Sequence, residues 1–180
     1  MNEIKIALRQ IEESDLGAVQ SLSSGFCKIK KFPFGIGRAE GWLQNSRKSS
    51  NEVFFIISAT KDGGAAYVVG LCGLTKIDWV ARHAKIFFAM MDKAKYKGTV
   101  QDHPSTILAF SGLLEHGFKK LGLNKLSIEV ADSDASLGAL EKAGFVVEGV
   151  MQDAEFLDGH LRQFIALSLM AAEYEKKCLE

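Results

Sequence analysis

The stretch from Lys125 to Phe145, KLSIEVADSDASLGALEKAGF, constrains the fold more than any other part of the chain. Leu126, Ile128 and Val130 alternate with Ser127 and Glu129, the period-two pattern of a strand whose two faces meet different surroundings. The polar run Ala131-Asp132-Ser133-Asp134 follows, in which Ser133 or Asp134 is the expected helix cap. Leu137 and Leu140 fall on one face of that helix, and Gly144 stands where a helix stops on a residue of positive φ. Phe145-Val146-Val147 then opens another strand. The unit is strand, turn, short helix, glycine stop, strand.

The rest of the chain sets limits on what surrounds this unit. Its 180 residues, 47% of them hydrophobic, are enough for one domain with a substantial core. Acidic and basic side chains balance at 22 each, so no global charge draws the chain to nucleic acid or to an anionic membrane. Lys28, Lys30 and Lys31 make a local basic patch, more often a solvated face than a binding site. Cys27, Cys72 and Cys178 are far apart and form no Cys/His cluster, which argues against a metal site or a disulfide framework and for a reducing, cytoplasmic setting. The N-terminus lacks the basic and apolar regions of a signal peptide, and no apolar run approaches a membrane span.

In order, Ile4, Ile6 and Leu8 mark an opening strand and Ser14-Asp15 cap a first helix through Leu22. Lys28 to Arg38 reads as a loop, and a second helix covers Ala39 to Arg47. Val53 to Ser58 is an apolar strand, Lys61-Asp62-Gly63-Gly64 a hairpin turn, and Tyr67 to Asp78 the return strand. A fourth strand spans about His83 to Met91. The stripe Ile107, Phe110, Leu114, Phe118 and Leu121 predicts a buried helix face from Ser105 to Leu121, with Pro104 at its start. A strand to about Glu155, a turn at Asp158-Gly159, a strand from Arg162 to Leu169 and a helix from Ala171 to Cys178 complete the chain.

The segment Ser133-Asp134-Ala135-Ser136, followed by Glu141-Lys142-Ala143-Gly144-Phe145 and Glu148-Gly149, resembles the C-terminal half of the GNAT acetyltransferases, nearest the RimJ/RimL-like group. With the order β-α-α-β-β-β-α-β-α-β-β the resemblance covers Lys5 to Leu169. It implies an α/β (α+β) GNAT fold over residues 1–180: a mixed, mostly antiparallel, splayed sheet with helices on both faces. It further implies an acetyl-CoA-dependent N-acetyltransferase without a metal. The acceptor would be a primary amine on a protein N-terminus, an amino sugar or a small molecule. Family members often form dimers.

Site residues follow from the same resemblance. Fourth-strand backbone at Ala89, Met90 and Met91 would hold the thioester arm. Gln101, His103, Ser105 and Thr106 fall in the pyrophosphate motif, a helix N-terminus being suited to anions. Ser133 and Ser136 lie beside the cofactor, with Ser136 a proton donor to the leaving sulfur or else a local helix cap. Glu155 and His83 are expected bases, with Asp78 and His160 as substitutes. Phe32, Phe34 and Trp42 either contact the acceptor or fill a satellite core. The chain departs from the family pattern at Lys85 for a glutamate, Pro104 and Thr106 for glycines, Ser133 for an asparagine and Leu140 for a tyrosine. Lys85 reads as a solvated strand residue. These departures support an alternative reading, a GNAT-fold binding protein without catalysis.

Overall fold

The computed structural model describes residues 4–26, 39–90, 104–132, 136–157 and 159–179. The strands are β1 (Ile4–Gln10), β2 (Val53–Lys61), β3 (Tyr67–Asp78), β4 (His83–Met90), β5 (Lys125–Ala131), β6 (Val146–Leu157) and β7 (His160–Met170). The helices are α1 (Leu16–Phe26), α2 (Ala39–Lys48), α3 (Pro104–Glu115), α4 (Leu137–Lys142) and α5 (Ala171–Cys178). The strands form one seven-stranded sheet in the order β1-β2-β3-β4-β5-β7-β6. Neighbours are antiparallel except β4 and β5, which run parallel. A parallel pair needs a crossover, and α3 supplies it.

Local chemistry fixes the connections. Asp62 and Gly63, with φ of 50° and 73°, make the tight turn between β2 and β3 that a right-handed twist favours. Gly144 has φ 98° and donates its N–H to Glu141 O at 2.9 Å, while Phe145 N–H reaches Leu140 O at 3.0 Å. This pair of bonds closes α4 as the glycine stop predicts. At the start of the described part of α4 Ser136 holds the N-cap position; the expected caps, Ser133 and Asp134, lie outside the described residues. Between β3 and β4, the Asp78 carboxylate accepts the N–H groups of Val80 at 2.9 Å and Ala81 at 2.8 Å. Arg82 follows with φ 53°; its guanidinium donates to Gly122 O, and its own carbonyl accepts from Asn124 N at 2.7 Å. The start of β4 is thereby pinned to the start of β5.

Two cores lie on opposite faces of the sheet. On one face α3, α4 and α5 cover Leu74, Ala84, Ile86, Leu126, Ile128, Val130, Leu167 and Leu169. On the other, α1 and α2 bring Val19, Leu22, Trp42 and Leu43 onto Phe54, Ile56, Leu71 and Ala89. The expected stripe of α3 needs one correction. Ala109 and Leu113 are buried and Ile107 is 56% exposed. The expected Leu114 and Phe118 are buried, and beyond Glu115 the helix widens into a π-turn at His116–Lys120, which admits an extra residue.

Candidate active site: a fork in the sheet

The sheet divides at its centre. Among the described residues β4 and β5 pair at His83↔Lys125, Ala84↔Leu126 and Lys85↔Ser127 and nowhere beyond. Past that point β4 stays paired to β3 through Met90, and β5 to β7 through Ala131. The inward edges of residues 86–90 and 128–131 therefore face each other across a gap. Backbone amides inside a protein demand partners, and an open strand edge is the element that an extended, amide-bearing ligand pairs with. Because α3 crosses over from the end of β4 to the start of β5, it runs antiparallel to both. Its N-terminus therefore stands at the open end of the fork, where the unpaired N–H groups of a first turn favour an anion. Ser105 and Thr106 lie in that first turn. Met91, Gln101 and His103 are outside the described residues.

One face of the fork is walled. Phe88 of β4 meets Phe110 of α3 at 5.5 Å between ring centroids, and Phe110 meets Phe145 at 5.9 Å. On the opposite face Phe54 meets Phe87 edge-on at 5.9 Å and Trp42 at 5.0 Å. Trp42 is 7% exposed and belongs to the core beneath α2. Of the two roles open to it from sequence, it fills the core; Phe32 and Phe34 lie outside the described residues.

The expected acid–base groups are scattered. Ser136 begins α4, beyond the open end of β5, and its side chain makes no cap bond. Glu155 pairs with Arg162 at the far end of β6, on the open side of the sheet but two strands across from β5, roughly 10 Å. Its Oε2 is shielded from solvent and has no hydrogen-bond partner among the described residues. His83 sits at the paired end, four residues or roughly 13 Å along β4 from the level of Phe87. There Nε2 lies 2.8 Å from Ser127 Oγ. Asp78 is committed to its turn, and His160 is exposed at the start of β7.

Residues 5–146 match the acetyltransferase (GNAT) domain family. The chain belongs to the GNAT acetyltransferase family. It is similar to "Uncharacterized N-acetyltransferase p20" of Bacillus licheniformis, 29% identical over 59% of this chain and 57% of that one. It is also similar to "Putative ribosomal N-acetyltransferase YdaF" of Bacillus subtilis (strain 168), 28% identical over 63% of this chain and 61% of that one. The chain thus spans about three fifths of the length of these curated relatives. Its fold matches a crystal structure of the spermidine N-acetyltransferase from Vibrio cholerae in complex with CoA and spermine. The TM-score is 0.78 at 20% identity, over 94% of this chain and 98% of that one.

Within this GNAT fold the residue that sequence reasoning passed over is Glu129. Its strand was read for the buried members of the alternation, and Glu129 was assigned to the polar remainder. Lys85, expected to be solvated, forms an ion pair with it across the point where β4 and β5 part. The sequence signal was the pairing of a lysine on one inner strand with a glutamate on the next, visible only once β4 and β5 are known to be neighbours. Farther toward the closed end, Glu148 is held by Lys125 and Ser168, which together keep its carboxyl below the ordinary range. No group of three or more His, Cys, Asp or Glu is arranged to hold a metal ion among the described residues.

Proposed function

We propose that the chain is an acetyl-CoA-dependent N-acetyltransferase of the RimJ/RimL-like group, acting on a primary amine by direct attack in a ternary complex. The observation that carries this reading is the fork: two inward strand edges left unpaired in the middle of a seven-stranded sheet. The slot fits an acyl carrier whose arm is extended and rich in amides, and the α3 N-terminus at its open end fits a phosphate group. Acetyl-CoA, when bound, supplies an acyl group activated as a thioester. Backbone groups of Ala89 and Met90 would hold the arm, and Ser105 and Thr106 would stand near its phosphates. Met91, Gln101, His103 and Ser133 complete the proposed set.

The chain's own tasks are three. The fork must fix the acyl carbonyl and polarise it as negative charge grows on its oxygen, for which preset N–H donors are effective. The acceptor amine must give up a proton before its nitrogen can attack, since alkylammonium groups hold theirs to a pH near ~10. The departing sulfur must gain a proton, the role proposed for the Ser136 hydroxyl. Glu155, whose Oε2 is shielded and has no hydrogen-bond partner among the described residues, is suited to hold a cationic group of the acceptor. The spermine complex of the Vibrio cholerae enzyme supports placing small amines beside protein N-termini and amino sugars as acceptors. The single sheet with a core on each face supports one domain over residues 1–180. Free Cys72 and Cys178 fit a cytoplasmic location.

The test is calorimetric titration of the chain with acetyl-CoA and with free CoA, followed by transfer to spermidine, glucosamine and a tripeptide with a free N-terminus. Micromolar binding and transfer are expected. Binding without transfer would leave a CoA-binding protein, and no binding up to millimolar concentration would remove the acyl-CoA reading altogether.

A further inference from the structure

We propose that Lys85 is a modification site: its side-chain amine takes an acetyl group from the carrier in the fork when no outside amine is there to receive it. This rests on the acyl-transfer reading above and adds to it an acceptor built into the chain. The register places the amine at the base of the slot. Lys85↔Ser127 is the last pair between β4 and β5 among the described residues. The Lys85 ammonium is held by the carboxylate of Glu129, two residues farther along the opposite strand. To reach it, the lysine side chain leans across the seam toward the level at which the strands separate. Its face follows from alternation. Ala84 and Ile86 point into the core under α3, so Lys85 points the other way, as does Phe87, which packs with the core under α1 and α2.

Two constraints bring an acyl group to this amine. The first is depth. A carrier whose phosphates sit at the N-terminus of α3 enters from the open end. The part of its arm farthest from the phosphates, the thioester, then lies deepest. From Met90 back to Lys85 is five residues of extended strand, roughly 16 Å, and the slot closes where Lys85 begins. The second is side. Phe88, Phe110 and Phe145 close the fork toward α3, which leaves the opposite face for a nucleophile. Lys85 is on that face with its side chain 35% exposed, and a half-exposed ion pair is weakly held, so its nitrogen leaves Glu129 at little cost. The neighbouring amine on the same face, Lys125, lies at the paired end beside His83 and is engaged by Glu148.

In the transfer, the Lys85 ammonium first gives one proton to water. The freed lone pair on Nζ forms the C–N bond with the acyl carbon while the C–S bond breaks, its electron pair going to sulfur. The nitrogen loses a second proton on becoming an amide, the sulfur gains one to become a thiol, and one proton is released per acetyl group moved. The product amide carries no charge with which to hold Glu129 and no free lone pair with which to attack again. The modification therefore stops at one acetyl group per chain.

The test is incubation of the unmodified chain with acetyl-CoA and no acceptor, the acetyl groups being located over time by peptide mass spectrometry. Label on Lys85 is expected to approach one per chain, with a first-order rate that does not change with chain concentration and exceeds that at Lys125 by about 100-fold or more. Lys85→Arg, which keeps the charge and is checked by its melting temperature, should lose this fast label. A second readout needs no transfer from the carrier: trace acetic anhydride labels exposed amines directly, and saturating free CoA should slow its reaction at Lys85 while leaving Lys125 unchanged. Label spread evenly over Lys85 and Lys125, a rate that climbs with chain concentration, or a fast label that persists in Lys85→Arg each overturn the proposal. So does CoA that protects neither lysine or both alike. Calorimetric binding of CoA with no acetyl group on Lys85 overturns this proposal alone, whereas absence of CoA binding removes the parent reading and takes this one with it.

Discussion

His83 and His116 are both held below the ordinary imidazole value, each chiefly by burial, with Lys125 adding to the effect at His83 and Lys120 at His116. His116 also lies edge-on to Phe55 at 4.8 Å. A base with a lowered folded pKa is neutral in the fold and gains a proton on unfolding. Its contribution is therefore complete above about pH 6.5 and declines as pH falls from there toward the folded value. Asp15, whose carboxylate accepts two 2.6 Å bonds from Arg9, and Glu148, paired with Lys125, are both lowered carboxyls. Their contribution is present above the ordinary carboxylate value and is lost at lower pH still. Glu52, raised by burial, works in the opposite direction. Melting curves between about pH 8 and about pH 5 should show stability falling below about pH 6.5, and the H83Q/H116Q variant should lack that decline; a flat profile for the unmodified chain would refute it. Residue roles were the least legible part of the sequence. Whether Trp42 faces a ligand or a core depends on which helix face meets the sheet. The partnership of Lys85 with Glu129 depends on a strand neighbourhood that 44 residues of sequence separation conceal.

Elements were far more legible, because their signals are local. The hairpin at Asp62-Gly63, the stop at Gly144 and the proline start of α3 each rest on backbone chemistry within a few residues. What local signals could not supply was close approach between strands. Gly70 and Gly73 lie inside β3, where a glycine marks a close approach of another backbone. In the sheet, a Cβ on Gly73 would come within 2.4 Å of Val53 O and 2.5 Å of a Phe54 ring carbon, and one on Gly70 within 2.6 Å of Ala89 O. Gly70 matters more for the site, since Ala89 and Met90 form the free edge of β4. Gly70→Ala is expected to cost about 1–3 kcal/mol by overpacking and to weaken CoA binding, as read by denaturant melts and calorimetry together. A variant that loses stability but keeps full CoA affinity would show that the edge of β4 tolerates displacement. The π-turn after α3 was hidden for a similar reason: Gly117 sits against Leu126 and Leu74 side chains, with room for no Cβ at ordinary distance from the first.

At the scale of the molecule, the order of elements along the chain was available from periodicity, whereas the order of strands across the sheet was not. Periodicity does not say that β7 inserts between β5 and β6, nor that β4 and β5 run parallel; the family resemblance implied only a mixed, mostly antiparallel, splayed sheet. The arrangement has a consequence for the timing of solvent exchange. Three residue pairs, the bonds of Arg82 to Gly122 and Asn124, the His83–Ser127 contact and the Lys85–Glu129 ion pair join the two halves of the sheet along this seam. About half of the amides in residues 86–90 and 128–131 point into the gap, as alternation along a strand requires. In deuterated water those amides should exchange orders of magnitude faster than their sequence neighbours that pair outward to β3 and β7. A strand at the centre of a sheet would then carry a label pattern alternating residue by residue, fast and slow. Saturating CoA should erase the alternation on β4, turning the fork into a clock that reports occupancy without any acceptor present.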